Sequence, residues 1–315
     1  MYPEFGRVGV ICGGLSSERE ISLKSGAAIF SALIKEGLDV KEIDLTTEEA
    51  AGVEKVIRGA GIDIAFIAMH GKFGEDGKLQ AILEDMNLAY VGSDSLASAL
   101  AMDKIAAKRV FEESGIPTPR YQVLNRHNDY DLDRNLLKFP LVVKPQSQGS
   151  SVGIVFVNKP DEMSQALKTA FRYDDNILVE DCIIGRELTV GILDNRALEP
   201  IEIIPKNKFF DFEAKYSKGM TEYVIPVPLD DNLKKHIQYL ALKVHKVLGC
   251  RHFSRVDLLL DEKNNPFVLE LNAIPGFTST SLLPKAALFE GIAFAQLCIK
   301  LLTLGVRDAI PISSK

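Results

Sequence analysis

Residues 254–272 read Ser254-Arg255-Val256-Asp257-Leu258-Leu259-Leu260-Asp261-Glu262-Lys263-Asn264-Asn265-Pro266-Phe267-Val268-Leu269-Glu270-Leu271-Asn272. Two apolar runs flank the turn-forming Asn264-Asn265-Pro266, which predicts an antiparallel hairpin. With the turn at Lys263-Asn264, Asp257 faces Glu270 and Arg255 faces Asn272. Residues two apart on a strand share a face, so all four polar groups lie together. A one-residue slip would undo this. Adjacent carboxylates repel and need a cation or a shared proton. Asp, Glu and Asn oxygens suit Mg²⁺, which also takes phosphate oxygens. A solvated hairpin face with a surface Arg–Asp pair is the plainer alternative. Val256, Leu258–Leu260 and Val268–Leu271 are too apolar for a fully exposed ribbon, which weighs against it.

Upstream, Lys144 ends the run Phe139-Pro140-Leu141-Val142-Val143 and precedes Pro145-Gln146-Ser147-Gln148-Gly149-Ser150-Ser151-Val152-Gly153. Small residues let backbone N–H groups approach a phosphate, and a lysine at a strand end adds a point charge. Alone this suits an ordinary hairpin turn; beside an acidic hairpin it suits a nucleotide. It is not a Walker A loop, and no G-x-G-x-x-G follows the first strand, which argues against a dehydrogenase. Three hairpins are expected here: Leu141–Lys144 with Gly153–Val157, Ile177–Asp181 with Glu187–Leu193 around Gly185, and the acidic one.

The first third alternates differently. Arg7–Cys12, Val40–Leu45 and Ile62–Met69 are short apolar runs separated by helical patterns, which predicts buried parallel strands with crossovers. Ligands bind beyond the carboxyl ends of such strands. Two polar, glycine-rich loops fall there, residues 13–18 and 70–77. Ser17 and Glu20 have capping-box spacing. Glu18 then falls in the first helical turn, where it serves either the helix dipole or a ligand at the helix N-terminus. His70 follows a buried strand and suits a structural or a ligand-binding role equally. His127, His236, His245 and His252 show no metal-ligand spacing, and His245 reads as solvated on a helix. A single helix is expected from Ser98 to Ser114, stopped by Gly115, Pro117 and Pro119. The tail Ile310–Lys315 is expected to fray.

The chain has 315 residues, 46% hydrophobic and 25% charged, with a net charge of −6. That suits two or three globular domains. It excludes a mainly electrostatic nucleic-acid binder, which needs a basic face. Cysteines 12, 182, 250 and 298 form no close pair and read as buried apolar residues of a reducing compartment. No signal-peptide pattern or membrane-length apolar run is seen, so a cytoplasmic protein without membrane contact is expected. There is no internal repeat. The fold class expected is α/β and α+β: an N-terminal parallel α/β domain at 1–97, then central (98–185) and C-terminal (186–315) α+β domains.

The motifs together resemble the ATP-grasp enzymes and, within them, the D-alanine–D-alanine ligase family. The matching residues are Gly13–Glu20; His70-Gly71 with Gly74–Gly77; Met102-Asp103-Lys104; Lys144-Pro145 with Gly149–Gly153; Lys215-Tyr216-Ser217; Arg255-Val256-Asp257; and Glu270–Thr278, continuing to Ser281-Leu282. They span nearly the whole chain in family order. The acidic hairpin and the Lys144 loop indicate only ATP-grasp. The Glu18 motif with Pro275–Thr278 and Ser281 is far more specific.

The resemblance implies an ATP-grasp fold and ADP-forming ligation of two D-alanines through an acyl phosphate, for peptidoglycan precursor synthesis. ATP would lie between the central and C-terminal domains. Lys104 and Lys144 would contact its phosphates under the Ser147–Gly153 loop, with Ser147, Ser150 and Ser151. Glu180 and the backbone of Asp181 and Ile183 would read adenine, Glu187 the ribose, and Lys215 and Leu269 would complete the ATP site. An aromatic residue is common in relatives where Cys182 stands, which puts the stacking surface in question. Asp257, Glu270 and Asn272 would hold two Mg²⁺ ions, with Mn²⁺ able to substitute. Glu18, near His70, would bind the first ammonium group. Arg255 and the Gly276 N–H would hold the tetrahedral oxyanion, and the Ser281 and Leu282 N–H groups the second carboxylate. Tyr216 would link to Glu18 and Ser150 and close the site, and goes with an amine acceptor. Relatives are commonly homodimers. The competing readings are another ATP-grasp carboxylate–amine or hydroxy acid ligase, and a nucleotide-binding sensor without turnover. The intact Lys144, Arg255, Asp257, Glu270 and Asn272 count against the sensor.

Overall fold

The computed structural model describes residues 3–128, 137–205 and 221–309. Lys215, Tyr216, most of the 206–222 loop and the tail from Ile310 lie outside the described residues.

The first sheet is parallel, as the apolar runs predict. Strands β1 (Arg7–Gly13), β2 (Asp39–Leu45), β3 (Ile64–Ile67) and β4 (Ala89–Val91) lie in the order β2-β1-β3-β4. β1 and β3 are covered on both faces, which is why they read as near-continuous apolar runs. Ile11 and Ile67 join Val53 and Ile57 of helix α2 (Ala50–Ala60) and Leu79 of α3 (Lys78–Asp85). Val8, Val10 and Cys12 turn the other way, onto Ile29 and Leu33 of α1 (Arg19–Lys35). α1 approaches β1 closely: a Cβ on Gly26 would lie 2.6 Å from Cβ of Cys12.

The second sheet, β5-β8-β6-β7, is antiparallel. It contains β5 (Tyr121–Asn125), β6 (Leu141–Pro145), β7 (Val155–Val157) and β8 (Asn176–Asp181), and α6 (Pro160–Ala170) packs on it. The third sheet runs β12-β11-β9-β13-β14, with β10 (Arg196–Ala197) on β9. Its strands are β9 (Gly185–Leu193), β11 (Ile201–Pro205), β12 (Thr221–Val224), β13 (Phe253–Asp261) and β14 (Pro266–Asn272). α4 (Ser95–Met102), α5 (Lys104–Glu113) and α7 (Asp231–Val247) share its core. The expected sequence of parallel α/β followed by antiparallel α+β units is the one observed.

Several local expectations fail for physical reasons. β8 and β9 are not a hairpin; they belong to different sheets, and β9 pairs with β13. Gly185 is needed for that close approach, since a Cβ there would lie 1.7 Å from the Leu260 carbonyl oxygen. The helix expected over 98–114 is two helices. Asp103 is extended (φ −82°, ψ 98°) and its Oδ1 accepts from the N–H groups of Ile105 and Ala106, both at 3.0 Å. An N-cap of this kind restarts the helix. The Ser17–Glu20 capping box does not form. α1 starts at Arg19 with Glu18 at the N-cap and no side-chain cap, while the Ser16 hydroxyl accepts from Glu18 N–H. His245 is not solvated: it is fully buried, with Nδ1 2.7 Å from Ser254 Oγ. Burial pushes it down to about 4.

The C-terminal helices α8 (Leu282–Phe289) and α9 (Phe294–Ala309) return to the first sheet, where Leu283, Leu297, Leu301 and Leu302 enter the core of β1. The Phe277 ring sits 5.5 Å from Phe66 and 5.7 Å from Phe253, tying that sheet to the third. Cys12, Cys250 and Cys298 are buried as expected, and Cys182 is half-buried. Among the described residues no single helix is long and apolar enough to cross a membrane.

Candidate active site

The acidic hairpin forms with the predicted pairs, Asp257 opposite Glu270 and Arg255 opposite Asn272. The uniform register does not continue. After Asp257 it slips by one, so that Leu258 pairs with Val268 and Leu269 is the extra residue of a bulge. The slip falls on the turn side, so the polar face survives. The turn itself is longer than predicted. Asp261 Oδ1 accepts from the N–H groups of Lys263 and Asn265, both at 2.8 Å, and Asn264 takes a positive φ of 61°.

On that face Arg255 forks onto Asp257, with Nε to Oδ1 at 2.9 Å and Nη2 to Oδ2 at 2.8 Å. Asn272 Nδ2 donates to the same Oδ2 at 3.1 Å, and Thr189 Oγ1 to Oδ1 at 2.5 Å. Thr189 was not singled out in the sequence; it faces Asp257 because β9 pairs with β13 in that register. Glu270 Oε2 lies 3.1 Å from Lys104 Nζ, which also donates to the Gln148 carbonyl at 2.8 Å. Lys104 therefore joins the hairpin to the small-residue loop.

The second cluster is buried. Lys144 Nζ lies 2.8 Å from Glu180 Oε2, and Lys108 Nζ lies 3.2 Å from Oε1. Sequence reading missed Lys108. The available signal was a lysine on the buried stripe of α5, with Lys104, Ile105, Ala107 and Phe111. Asp181 and Cys182 use their N–H groups on the Arg120 and Pro140 carbonyls, so only the carbonyl side of Asp181 remains for a base. Ile183 lies in the connection to β9, which carries Glu187. Burial raises the Cys182 thiol.

The loop over this cleft is held at several points. Gln146 Nε2 donates to Asp103 Oδ2 at 2.7 Å, and Ser147 gives its N–H and hydroxyl to Asp174, both at 2.8 Å. Ser150 and Ser151 take positive φ of 50° and 61°, and the Ser150 hydroxyl donates to Glu18. Glu18 packs between this loop and Gly71: a Cβ on Gly71 would lie 2.7 Å from its Oε2, and one on Gly149 3.2 Å. The two loops at the carboxyl ends of β1 and β3 thus meet the phosphate-type loop at one carboxylate.

His70 is buried, and protein atoms surround both ring nitrogens. Nε2 is 2.9 Å from Ser25 Oγ, while Nδ1 is 3.1 Å from the Ile274 carbonyl and 3.3 Å from Glu75 Oε1. The Ile274 carbonyl can only accept, which assigns a proton to Nδ1; in that tautomer the Ser25 hydroxyl, whose oxygen accepts from Phe277 N–H, donates to Nε2. Burial, then the nearby Glu18 charge, raise the Glu75 carboxyl, against the lowering contact with His70. Glu75 lines the same cleft as Lys104, Gly149, Glu270 and Asn272. Gly276 lies beside Ser281, the N-cap of α8. The Ser281 N–H, expected to face a carboxylate, donates instead to the Thr278 carbonyl at 3.0 Å, and its hydroxyl accepts from Thr278 N–H. Leu282 begins the helix, where N–H groups have no carbonyl one turn back.

Models of the D-ala D-ala ligase N-terminus and C-terminus match residues 46–93 and 110–303. The chain belongs to the D-alanine–D-alanine ligase family. It is 46% identical to a D-alanine–D-alanine ligase of Geotalea uraniireducens, over 94% of both chains. It is 45% identical to one of Carboxydothermus hydrogenoformans, over 95% of this chain and 98% of that one. The fold matches the D-alanine–D-alanine ligase of Bacillus anthracis complexed with ATP, at a TM-score of 0.86 and 34% identity, over 96% and 98% of the chains. It also matches VanG D-Ala:D-Ser ligase of Enterococcus faecalis, at 0.82 and 31%, over 95% and 99%. The ATP-grasp expectation therefore holds.

Proposed function

We propose that this chain joins two D-alanines into D-alanyl-D-alanine, converting ATP to ADP and phosphate through an acyl phosphate, as a step of peptidoglycan precursor synthesis. The observation that carries this is convergence. The hairpin carboxylates, Lys104, the Ser147–Gly153 loop and Glu18 come from three sheets and meet in one cleft. Family membership narrows the chemistry to a D-alanine ligase.

The first D-alanine carboxylate and the γ-phosphate are both anionic. At about 4 Å two unit charges repel by about 4 kcal/mol at an effective dielectric of 20. Lys104, Lys144 and Arg255 supply the opposing charge from fixed positions. The donors Asp257, Glu270 and Asn272 are hard oxygens on one face, which fits Mg²⁺, with Mn²⁺ able to substitute. Among the described residues no third carboxylate, histidine or cysteine joins them, so a bound ion would complete its shell with phosphate oxygens and water. When bound, such ions supply Lewis-acid stabilisation of the transferring phosphoryl group.

Glu180, the Asp181 carbonyl and Ile183 would read adenine, and Glu187 the ribose; Ser147, Ser150, Ser151, Leu269 and Lys215 would complete the nucleotide site. Glu18 would hold the first ammonium group, positioned by Ser150 and by Tyr216. The fork on Asp257 fixes the plane of the Arg255 guanidinium, which with the Gly276 N–H would hold the tetrahedral oxyanion; one such donor is worth about 3 kcal/mol. Leu282 N–H and the Ser281 hydroxyl would receive the second carboxylate. His70 would act by holding the 274–277 turn against α1. The division at 1–97, 98–185 and 186–315, a homodimer and a cytoplasmic setting belong to the same reading and rest on the likeness alone.

The test is ADP release with ATP and Mg²⁺, supplied with D-alanine alone, L-alanine alone, or D-alanine with D-serine or D-lactate. ADP with a mass-identified dipeptide from D-alanine alone is expected. ADP only with another acceptor would keep the mechanism and change the substrate. No ADP from protein that binds ATP would favour a sensor.

A further inference from the structure

Lys108 belongs to no part of the reaction described so far, yet its side chain is 1% exposed and charged. Burying an ammonium is costly unless it is paired, so its position needs a reason. The ammonium lies 3.2 Å from Glu180 Oε1, 2.5 Å from Thr118 Oγ1 and 3.4 Å from the Pro119 carbonyl. Thr118 Oγ1 in turn donates to the Val268 carbonyl at 2.8 Å. Lys108 therefore stands at the seam between the second and third sheets, on the Oε1 side of Glu180, opposite the oxygen that Lys144 meets. Glu180 has one lysine beside each oxygen: Lys144 2.8 Å from Oε2, and Lys108 3.2 Å from Oε1, a buried oxygen that has this ion pair but no hydrogen bond. The three groups together carry one net positive charge.

We propose that Lys108 is a positioning residue for the nucleotide: by neutralising Glu180 from its Oε1 side, it leaves Lys144 with positive charge to present to the ATP phosphates. This rests on the ligase reading. Without Lys108, Glu180 and Lys144 would form a closed one-to-one pair, and the lysine would be held by the carboxylate it now shares. Lys108 is too buried to touch the nucleotide and acts only through Glu180. A purely structural role is the rival, because the same ammonium tethers Thr118 and Pro119. The two roles separate on ligand charge. A tether supports the whole cleft, whereas the charge effect falls on the anionic phosphates; adenine would meet Glu180 as a neutral donor, which the carboxylate accepts with or without Lys108.

Burial pushes Lys108 down to about 8, against the raising effect of Glu180 and with the lowering effect of Lys144. Glu112 on its own helix also raises it, and the ring of Tyr121 lies 5.3 Å away. Its charge is thus present at pH 7 and lost as pH rises past 8.

The experiment is calorimetric titration of the whole protein with ATP and ADP, and with adenosine by competition against ATP. It compares the unaltered chain with Lys108→Met. The variant should bind ATP and ADP about tenfold more weakly, the scale of one pKa unit of charge interaction, and adenosine within about twofold. Equal weakening of all three, or no weakening, would overturn the proposal. If Lys108→Met does not fold, the unaltered protein decides. Its ATP affinity should fall between pH 7.5 and 9 while its adenosine affinity stays flat, and parallel profiles would overturn the proposal. An unaltered chain that binds neither ATP nor ADP would overturn the ligase reading and this inference with it. Binding without the phosphate-specific split overturns this inference alone.

Discussion

Glu270 and Glu180 both meet lysines in this cleft, in different settings. The Glu270 side chain is 28% exposed and has Lys104 at 3.1 Å. The Glu180 side chain is 3% exposed and has two lysines, themselves almost wholly buried. The difference follows from desolvation. Water can share the charge of Glu270, whereas a carboxylate removed from water must find its compensation in the protein. A third buried group is His245: among the described residues no opposite charge lies beside it and its Nε2 has no partner, and burial favours its neutral form. Partly exposed charge is shared with water, dry charge is kept only where the protein compensates it, and dry uncompensated groups give up their charge.

The comparison can be broken or sharpened by four measurements. Glu270→Gln should lower ADP release by about 10³-fold or more, on the scale of several kcal/mol of lost metal-assisted charge stabilisation. Its urea midpoint should barely move. Near-normal turnover would sink the metal assignment. Glu180→Ala should do the reverse in emphasis, costing about 3–5 kcal/mol of unfolding free energy because two buried lysines lose their partner. If it costs no more than Glu270→Ala in the same urea series, the contrast drawn above is wrong.

His245 sets a pH dependence. The unfolded histidine takes up its proton near 6.5, while burial delays this to about 4 in the folded chain. Stability is therefore full above pH 6.5 and falls by about 3 kcal/mol as the pH drops to 4. His252, which burial also lowers, adds to the loss in the same direction. A His245→Gln variant should show a shallower acid limb in unfolding followed by fluorescence or circular dichroism. The smallest effect belongs to the exposed pair Arg7–Asp39, at 2.9 Å with side chains 46% and 59% exposed. Asp39→Asn should shift stability by about 0.5 kcal/mol or less. A larger loss would show that exposure is a poor guide to charge compensation here.

The strand-borne part of the site was legible because a strand has a period of two. Once Asp257 and Glu270 were set opposite each other, Arg255 and Asn272 had to share their face, and the structure keeps those pairs. The bulge at Leu269 was not legible. One extra residue on the turn side leaves the apolar pattern acceptable on both sides of it. The β8–β9 hairpin was misread because two strands with glycine between them look alike whether they pair with each other or with remote partners. The reading of His245 failed for a related reason. A polar residue in an amphipathic helix is assigned to water unless the strand that covers it is known, and here that strand supplies Ser254.

The sequence by itself determined the parallel and antiparallel halves, the polar face of the hairpin, the lysine at the end of β6 and the glycine-rich loops after β1 and β3. These rest on periodicity and on short-range turn chemistry, which act within a few residues. Only the tertiary structure decided that Thr189 would fix Asp257, that Lys108 would stand beside Glu180, and that α8 and α9 would return to complete the first sheet. Those contacts join residues far apart in the chain. Their energies come from removing charge and apolar surface from water, and that removal depends on what packs on the other side.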